Sequence, residues 1–293
     1  MSNTYTDICP SQNEAKNTGF DDQCLETKLK IPILSDGFHF PTVADFKNKS
    51  VWRQAIADKR LVPLFEVYDL ADASTADKPF EIGNFRKIVE KGVEKITFEC
   101  FLSVCAFAAL NSYVENGSFG EIFEFNDGDD YSGMFGTDGV SVKGRKIKSL
   151  TATRMRATKD KVPHVKCEIV YEDKDDVLKA VILKSNLSAD DIEGIHDVKL
   201  TLVSVDQYSA RVTVTSGCSY DKLIKSITMG DFVIADENDV PVLFSLIPTD
   251  ASGVYELVFN NVISGNNFTI NLDGVIVQAD IMYESTGKLT FNV

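Results

Sequence analysis

Apolar and polar residues alternate with a period of two along much of this chain, the pattern of strands that bury one face. It runs through Lys95–Phe101 (KITFECF), Glu121–Phe125 (EIFEF), Val140–Thr153 (VSVKGRKIKSLTAT) and His164–Tyr171 (HVKCEIVY). Leu61–Leu70 reads as a strand too, and so does Lys28–Leu34, which Pro32 should confine to an edge or a strand end. Two stretches break the alternation. Ser50–Arg60, with Val51, Trp52, Ala55 and Ile56, has the spacing of a short amphipathic helix. Residues 102–114 (LSVCAFAALNSYV) are rich in good helix formers, stop at Asn116-Gly117 and are apolar on nearly every side. That composition predicts a buried helix packed on a sheet.

The connections are informative as well. Asn126–Gly139 (NDGDDYSGMFGTDG) reads as a long turn-rich excursion. The strands at 140–153 and 164–171, joined by the charged segment Arg154–Pro163, predict an extended hairpin, whose edge is an aggregation hazard unless another subunit covers it. After a polar break at Ser188–Asp197 the texture changes. Short alternating runs follow at Val198–Val205, Ala210–Thr215, Ser226–Met229, Phe232–Ala235, Val240–Leu246, Val254–Phe259, Phe268–Leu272, Val275–Ile281 and Lys288–Val293, with turn signals such as Ser216-Gly217 and Asp273-Gly274 between them. Such spacing predicts an immunoglobulin-like β-sandwich over 196–293, although the Cys…Trp…Cys signature is missing. The expected organisation is therefore an extended, polar N-terminal arm (1–27), a mostly β domain (28–190) and the sandwich.

Charge narrows the partners. The chain has 293 residues and a formal net charge of −14. Residues 1–195 carry 32 acidic and 25 basic side chains and residues 196–293 carry 12 and 5, so each part is about −7. Gripping nucleic acid requires the opposite sign, and a membrane surface is disfavoured for the same reason. No apolar run approaches the ~20 residues that span a bilayer, and the polar start offers no signal-peptide core. The expected place of synthesis is a cytoplasm. The six cysteines fit neither a zinc site nor a disulfide framework and are expected to be free thiols.

Candidate chemistry is sparse. His39, His164 and His196 lie far apart, no nucleophile–base motif or phosphate loop is present, and the expectation is a non-enzymatic protein without cofactor or metal. Asp127, Asp129, Asp130 and Asp138 invite a Ca²⁺ reading. The EF-hand order fails, however, because Tyr131 stands where an oxygen ligand belongs and position 12 is Asp138 rather than Glu. A solvated acidic loop fits better. Lys143, Arg145, Lys146, Lys148, Arg154, Arg156, Lys159 and Lys161 form the one concentration of positive charge. That strip is either a solvated hairpin face or a surface that meets an acidic face of a second, identical subunit.

The order strand, helix (102–114), strand, Gly/Asp loop, then the long strand through Gly144-Arg145-Lys146-Ile147-Lys148-Ser149-Leu150 resembles the tail tube proteins of bacteriophages. Ala157-Thr158-Lys159-Asp160 and Cys167-Glu168-Ile169-Val170-Tyr171-Glu172-Asp173 are similar to the close of that domain. Cys24 after a polar arm, Ile33-Leu34-Ser35-Asp36-Gly37 and Trp52 resemble structural proteins of long-tailed phages of Bacteroidetes-type hosts. The resemblance implies a β-sandwich or barrel with a flanking helix, six copies joining sheets into a ring, and rings stacking into a virion tail tube through which DNA passes without specific binding. It implies stacking contacts from the arm and from Asn126–Gly139, other tail proteins as partners, and an outer sandwich that touches host-surface glycans. Other virion parts (a head–tail connector, tail terminator or capsid decoration protein) and a carbohydrate-binding or adhesion protein, with Tyr208, Tyr220, Tyr255 and Tyr283 as platforms, are the competing readings.

Overall fold

The computed structural model describes residues 8–10, 28–82, 85–115, 117–127, 130–184, 187–217, 220–247, 253–265, 267–278 and 280–293. The protein is mostly β and divides into two compact units between Ile192 and Glu193.

The N-terminal unit contains β1 (Ile8–Pro10), β2 (Leu29–Ser35), β3 (His39–Phe40), β4 (Leu61–Pro63), β5 (Tyr68–Asp72), β6 (Lys78–Ile82), β7 (Phe85–Glu90), β8 (Lys95–Cys100), β9 (Glu121–Asn126), β10 (Asp130–Phe135), β11 (Val142–Lys143), β12 (Arg145–Met155), β13 (His164–Tyr171) and β14 (Ala180–Lys184). One sheet centres on β9. Strand β2 pairs along one side of it, and β10 and β12 share the other. The sheet extends through β10 to β14 and β1, and through β2 to β4. After Lys146, β12 leaves β9, passes a bulge between Ile147 and Ser149, and enters a second sheet of order β12-β13-β8-β5. Gly144 permits the handover. A Cβ there would lie 2.9 Å from the backbone nitrogen of Ile122 on β9, so only glycine lets the two backbones approach this closely.

Helix α1 (Val43–Phe46) and helix α2 (Lys49–Ala57) cover the first sheet. Asn48 caps α2 by accepting from the Ser50 N–H, and Trp52, Ala55 and Ile56 fall on one buried face at i, i+3, i+4 spacing. Trp52 packs with Phe40, Phe46, Phe123 and Tyr131, and its Nε1–H donates to the Phe46 carbonyl at 2.7 Å. Helix α3 (Val104–Glu115) lies against β12.

Four expectations need correcting here. The helix expected to be buried all round buries only Leu110 fully, while Val104, Cys105, Ala108 and Ala109 are exposed; sheet covers only one side of it. Asn126–Gly139 is no loop, because β10 runs through it as a buried inner strand between β9 and β14. Strand β2 is not an edge: β4 and β9 flank it, and Pro32 still uses its carbonyl to accept from the Leu64 N–H at 2.9 Å. Leu61–Leu70 splits into β4 and the start of β5.

The C-terminal unit comprises β15 (His196–Val205), β16 (Ser209–Ser216), β17 (Lys222–Leu223), β18 (Phe232–Ala235), β19 (Phe244–Ile247), β20 (Val254–Phe259), β21 (Phe268–Leu272), β22 (Ile276–Gln278), β23 (Ile281–Ser285) and β24 (Leu289–Phe291). One sheet has the order β19-β20-β16-β15-β23-β22 with β17 on β16, and a second has β18-β21-β24. Val198, Val212, Val214 and Leu257 from the first meet Phe232, Ile234, Ile270 and Leu272 from the second in one core, the arrangement of a sandwich. Ser226–Met229 forms no strand and leads into a one-turn helix at Met229–Asp231, and Val275–Ile281 is divided between β22 and β23.

Candidate assembly site

Where β12 passes from one sheet to the other, Arg145 is pulled inward. Its residue is 6% exposed. The guanidinium donates to both oxygens of Glu94, at 2.9 and 2.6 Å, lies 3.9 Å from Glu124 and stacks 4.0 Å from the centre of the Tyr171 ring. Tyr171 Oη–H donates to Glu124, and Ser132 Oγ–H reaches the same carboxylate at 3.4 Å. Burial works against the charge on Arg145, but its hydrogen bonds to Glu94 and the nearby carboxylate of Glu124 outweigh it and raise its pKa. Burial, with the Glu124 charge beside it, pushes the Tyr171 phenol well up. This cluster ties both sheets together and is structural, so Arg145 leaves the basic strip as an available contact.

The second sheet is two-faced. Ile96, Phe98, Cys100, Leu150, Val165, Cys167 and Ile169 line the core side with α3. The register places Thr151, Thr153, Glu168, Lys166, Thr97 and Glu99 on the other side. That polar face holds Lys95 and Lys166 against Glu99 and Glu168, with Lys95 3.2 Å from Glu168. It is balanced in charge.

Among the described residues, the hairpin β6–β7 gathers several exposed apolar side chains in one element. Every described residue in it is exposed, including Phe80 (48%), Ile82 (64%), Phe85 (59%), Ile88 (54%) and Val89 (64%). It forms a two-stranded sheet of its own, and such a ribbon alone in water is marginal. Its root is firmly held. Asp77 accepts from the Gly92 N–H at 2.7 Å and from Lys174, and these bonds lower its pKa. A Cβ on Gly92 would fall 1.9 Å from the Thr75 carbonyl oxygen, so glycine is required there.

The remaining sequence-predicted residues disperse. Lys143 is half-buried on β11; Lys146, Lys148, Arg154 and Arg156 are exposed on or beside β12. Lys159 is exposed in the following turn, and Lys161 pairs with Glu99 at 2.9 Å. Asp127 is exposed, Asp129 lies outside the described residues, and Asp130 is buried and accepts from Asn126 Nδ2–H at 3.1 Å. Asp138 accepts from Val140 N–H, Ser141 N–H and Ser141 Oγ–H, bonds that lower its pKa and close its own turn. Asp127, Asp130 and Asp138 thus each have separate surroundings, and among the described residues no group of three or more His, Cys, Asp or Glu is placed to hold a metal ion. Nor is any described helix long and apolar enough to cross a membrane. Two of the four candidate glycan platforms are lost to the core: Tyr255 is 1% exposed and Tyr283 6%. Tyr255 pins the sandwich instead, donating to the Ile224 carbonyl and accepting from the Ile227 N–H.

Glu121 shows how tightly the β9 junction is packed. Burial raises its pKa against the opposing pull of His39, Lys143 and Lys146. A carboxyl raised in the folded state contributes stability below its unfolded pKa and loses it as pH rises through the folded value. Glu121→Gln is therefore expected to raise the melting temperature at pH 7 and to give no gain at pH 4, which thermal melts at the two pH values check.

Compared with protein-family models, curated proteins and solved structures, the chain matches none.

Proposed function

We propose that this chain is a structural subunit of a bacteriophage tail: a tube protein that assembles into hexameric rings, which stack into a conduit for DNA. The observation that carries the reading is the naked hairpin β6–β7. A fixed root presents an apolar ribbon whose described residues are all exposed and form a sheet of their own, and exposed patches of this kind mark protein contacts. The two-faced sheet supports the same reading. Its polar side offers hydroxyls and balanced charges, a wall with nothing to hold phosphates. The tail-tube resemblance of residues 24–185 turns self-association into this specific assembly, and it makes the C-terminal sandwich an outer, immunoglobulin-like decoration. It also makes the protein a virion component with no enzymatic role. In this reading the hairpin takes over the stacking role expected of Asn126–Gly139, whose middle is the buried strand β10.

Negative-stain electron microscopy of the full-length protein over a range of concentrations tests the proposal. Hollow rings or stacked tubes are the expected result. Dispersed particles at every concentration would overturn it.

A further inference from the structure

The second sheet of the N-terminal unit ends in two strands of opposite charge. On one edge, beyond Lys146, β12 is paired only with β13 among the described strands. From Val140 to Lys159 the chain has seven Lys or Arg and no Asp or Glu. Lys148, Arg154 and Arg156 there are exposed. On the other edge, among the described strands, β5 pairs only with β8. From Leu61 to Asp77 the chain has four acids, Glu66, Asp69, Asp72 and Asp77, and no Lys or Arg. Glu66, Asp69 and Asp72 are exposed. A register irregularity between Tyr68 and Ala71, with Asp69 at φ +48°, marks one end of this edge. An exposed strand edge is a template for another chain, and each of these templates carries the sign that the other lacks.

We infer that the acidic β5 edge of one copy pairs with the basic β12 edge of the next; this rests on the assembly reading above and names its lateral contact. The strand count supports it. The four strands alternate in direction, so an even-numbered sheet repeated in the same orientation brings the next β12 antiparallel to β5. The polar and apolar faces then continue unbroken from copy to copy. The contact is head-to-tail, so it propagates, and it closes into a ring when the rotation per copy permits. Like edges repel, which disfavours a symmetric dimer through either strand. Lys148 and Arg154 thereby gain the role that the basic strip lacked, and the acidic face it requires is β5.

Reciprocal charge reversal tests the pairing. One variant carries Asp69→Lys and Asp72→Lys; the other carries Lys148→Glu and Arg154→Glu. Each variant alone now sets like charges against each other at the reversed positions. Each is expected to raise the concentration needed for assembly on the order of 100-fold, measured by sedimentation velocity. An equimolar mixture restores both complementary contacts and is expected to assemble as wild type does, in alternation. Circular dichroism and melting of each variant verify folding. Wild-type-like assembly of either variant alone, or a mixture of two folded variants that stays dispersed, overturns the edge pairing while leaving self-assembly intact. A wild-type protein that never assembles overturns both.

Discussion

Arg145→Met is expected to destabilise the N-terminal unit by about 3–5 kcal/mol, the usual cost of removing one partner from a buried ion pair. The loss comes mainly from what is left behind. Glu94 would keep its charge beside β12 without its bidentate donor, and Glu124 would face the Tyr171 phenol and Ser132 without a nearby cation. For a unit of this size such a loss lowers the melting temperature by roughly 10 °C. The triple variant Arg145→Met, Glu94→Gln, Glu124→Gln removes the stranded charges together with the cation. It is expected to recover more than half of the loss, because buried ion pairs contribute little over neutral groups of similar shape. Thermal and urea unfolding of the two variants decide the matter. A single-variant cost below about 1 kcal/mol, the range of exposed pairs, would mean that water reaches the cluster and that it does not tie the sheets together.

The same cluster shows where the sequence stops being readable. The strands β8, β9, β12 and β13 were legible because alternation depends only on neighbours in the chain. The inward turn of Arg145 depends on Glu94, 51 positions away, and nothing local separates it from the solvated Lys146 and Lys148. Strand β10 was hidden for a related reason. Asp130, Ser132 and Gly133 have the composition of a turn, yet hydrogen bonds to Asn126 and Glu124 satisfy the polar groups and let the segment lie inside a sheet. Helix α3 was placed correctly in sequence but not in depth. An apolar surface all round fits a buried helix or one waiting for a partner, and composition does not separate the two. The hairpin β6–β7 did have a local signal: Gly83-Asn84 stands between two short runs containing Phe80, Ile82, Phe85 and Ile88, a two-residue hairpin pattern. That pattern does not distinguish a core ribbon from one held out in solvent, so its exposure was not legible.

That exposure makes the hairpin the most decisive site to alter. Phe80→Ser with Phe85→Ser is expected to leave the isolated subunit's stability unchanged within about 0.5 kcal/mol, as for other surface substitutions. Both rings are already about half accessible or more in the single chain, and neither belongs to its buried core. Assembly is expected to suffer heavily. Burying a phenylalanine is worth about 1.5–3 kcal/mol, so losing two from a contact raises the required concentration by roughly 100-fold or more. Sedimentation velocity and electron microscopy read this directly, and salt separates the hairpin from the charged edges. Pairing between β5 and β12 weakens as ionic strength rises, whereas an apolar contact does not. Rings that form but no longer stack would place the hairpin between rings. Loss of the rings themselves would place it at the lateral contact beside β5. Unaltered assembly would leave the exposed phenylalanines without a partner and remove the observation on which the tube reading rests.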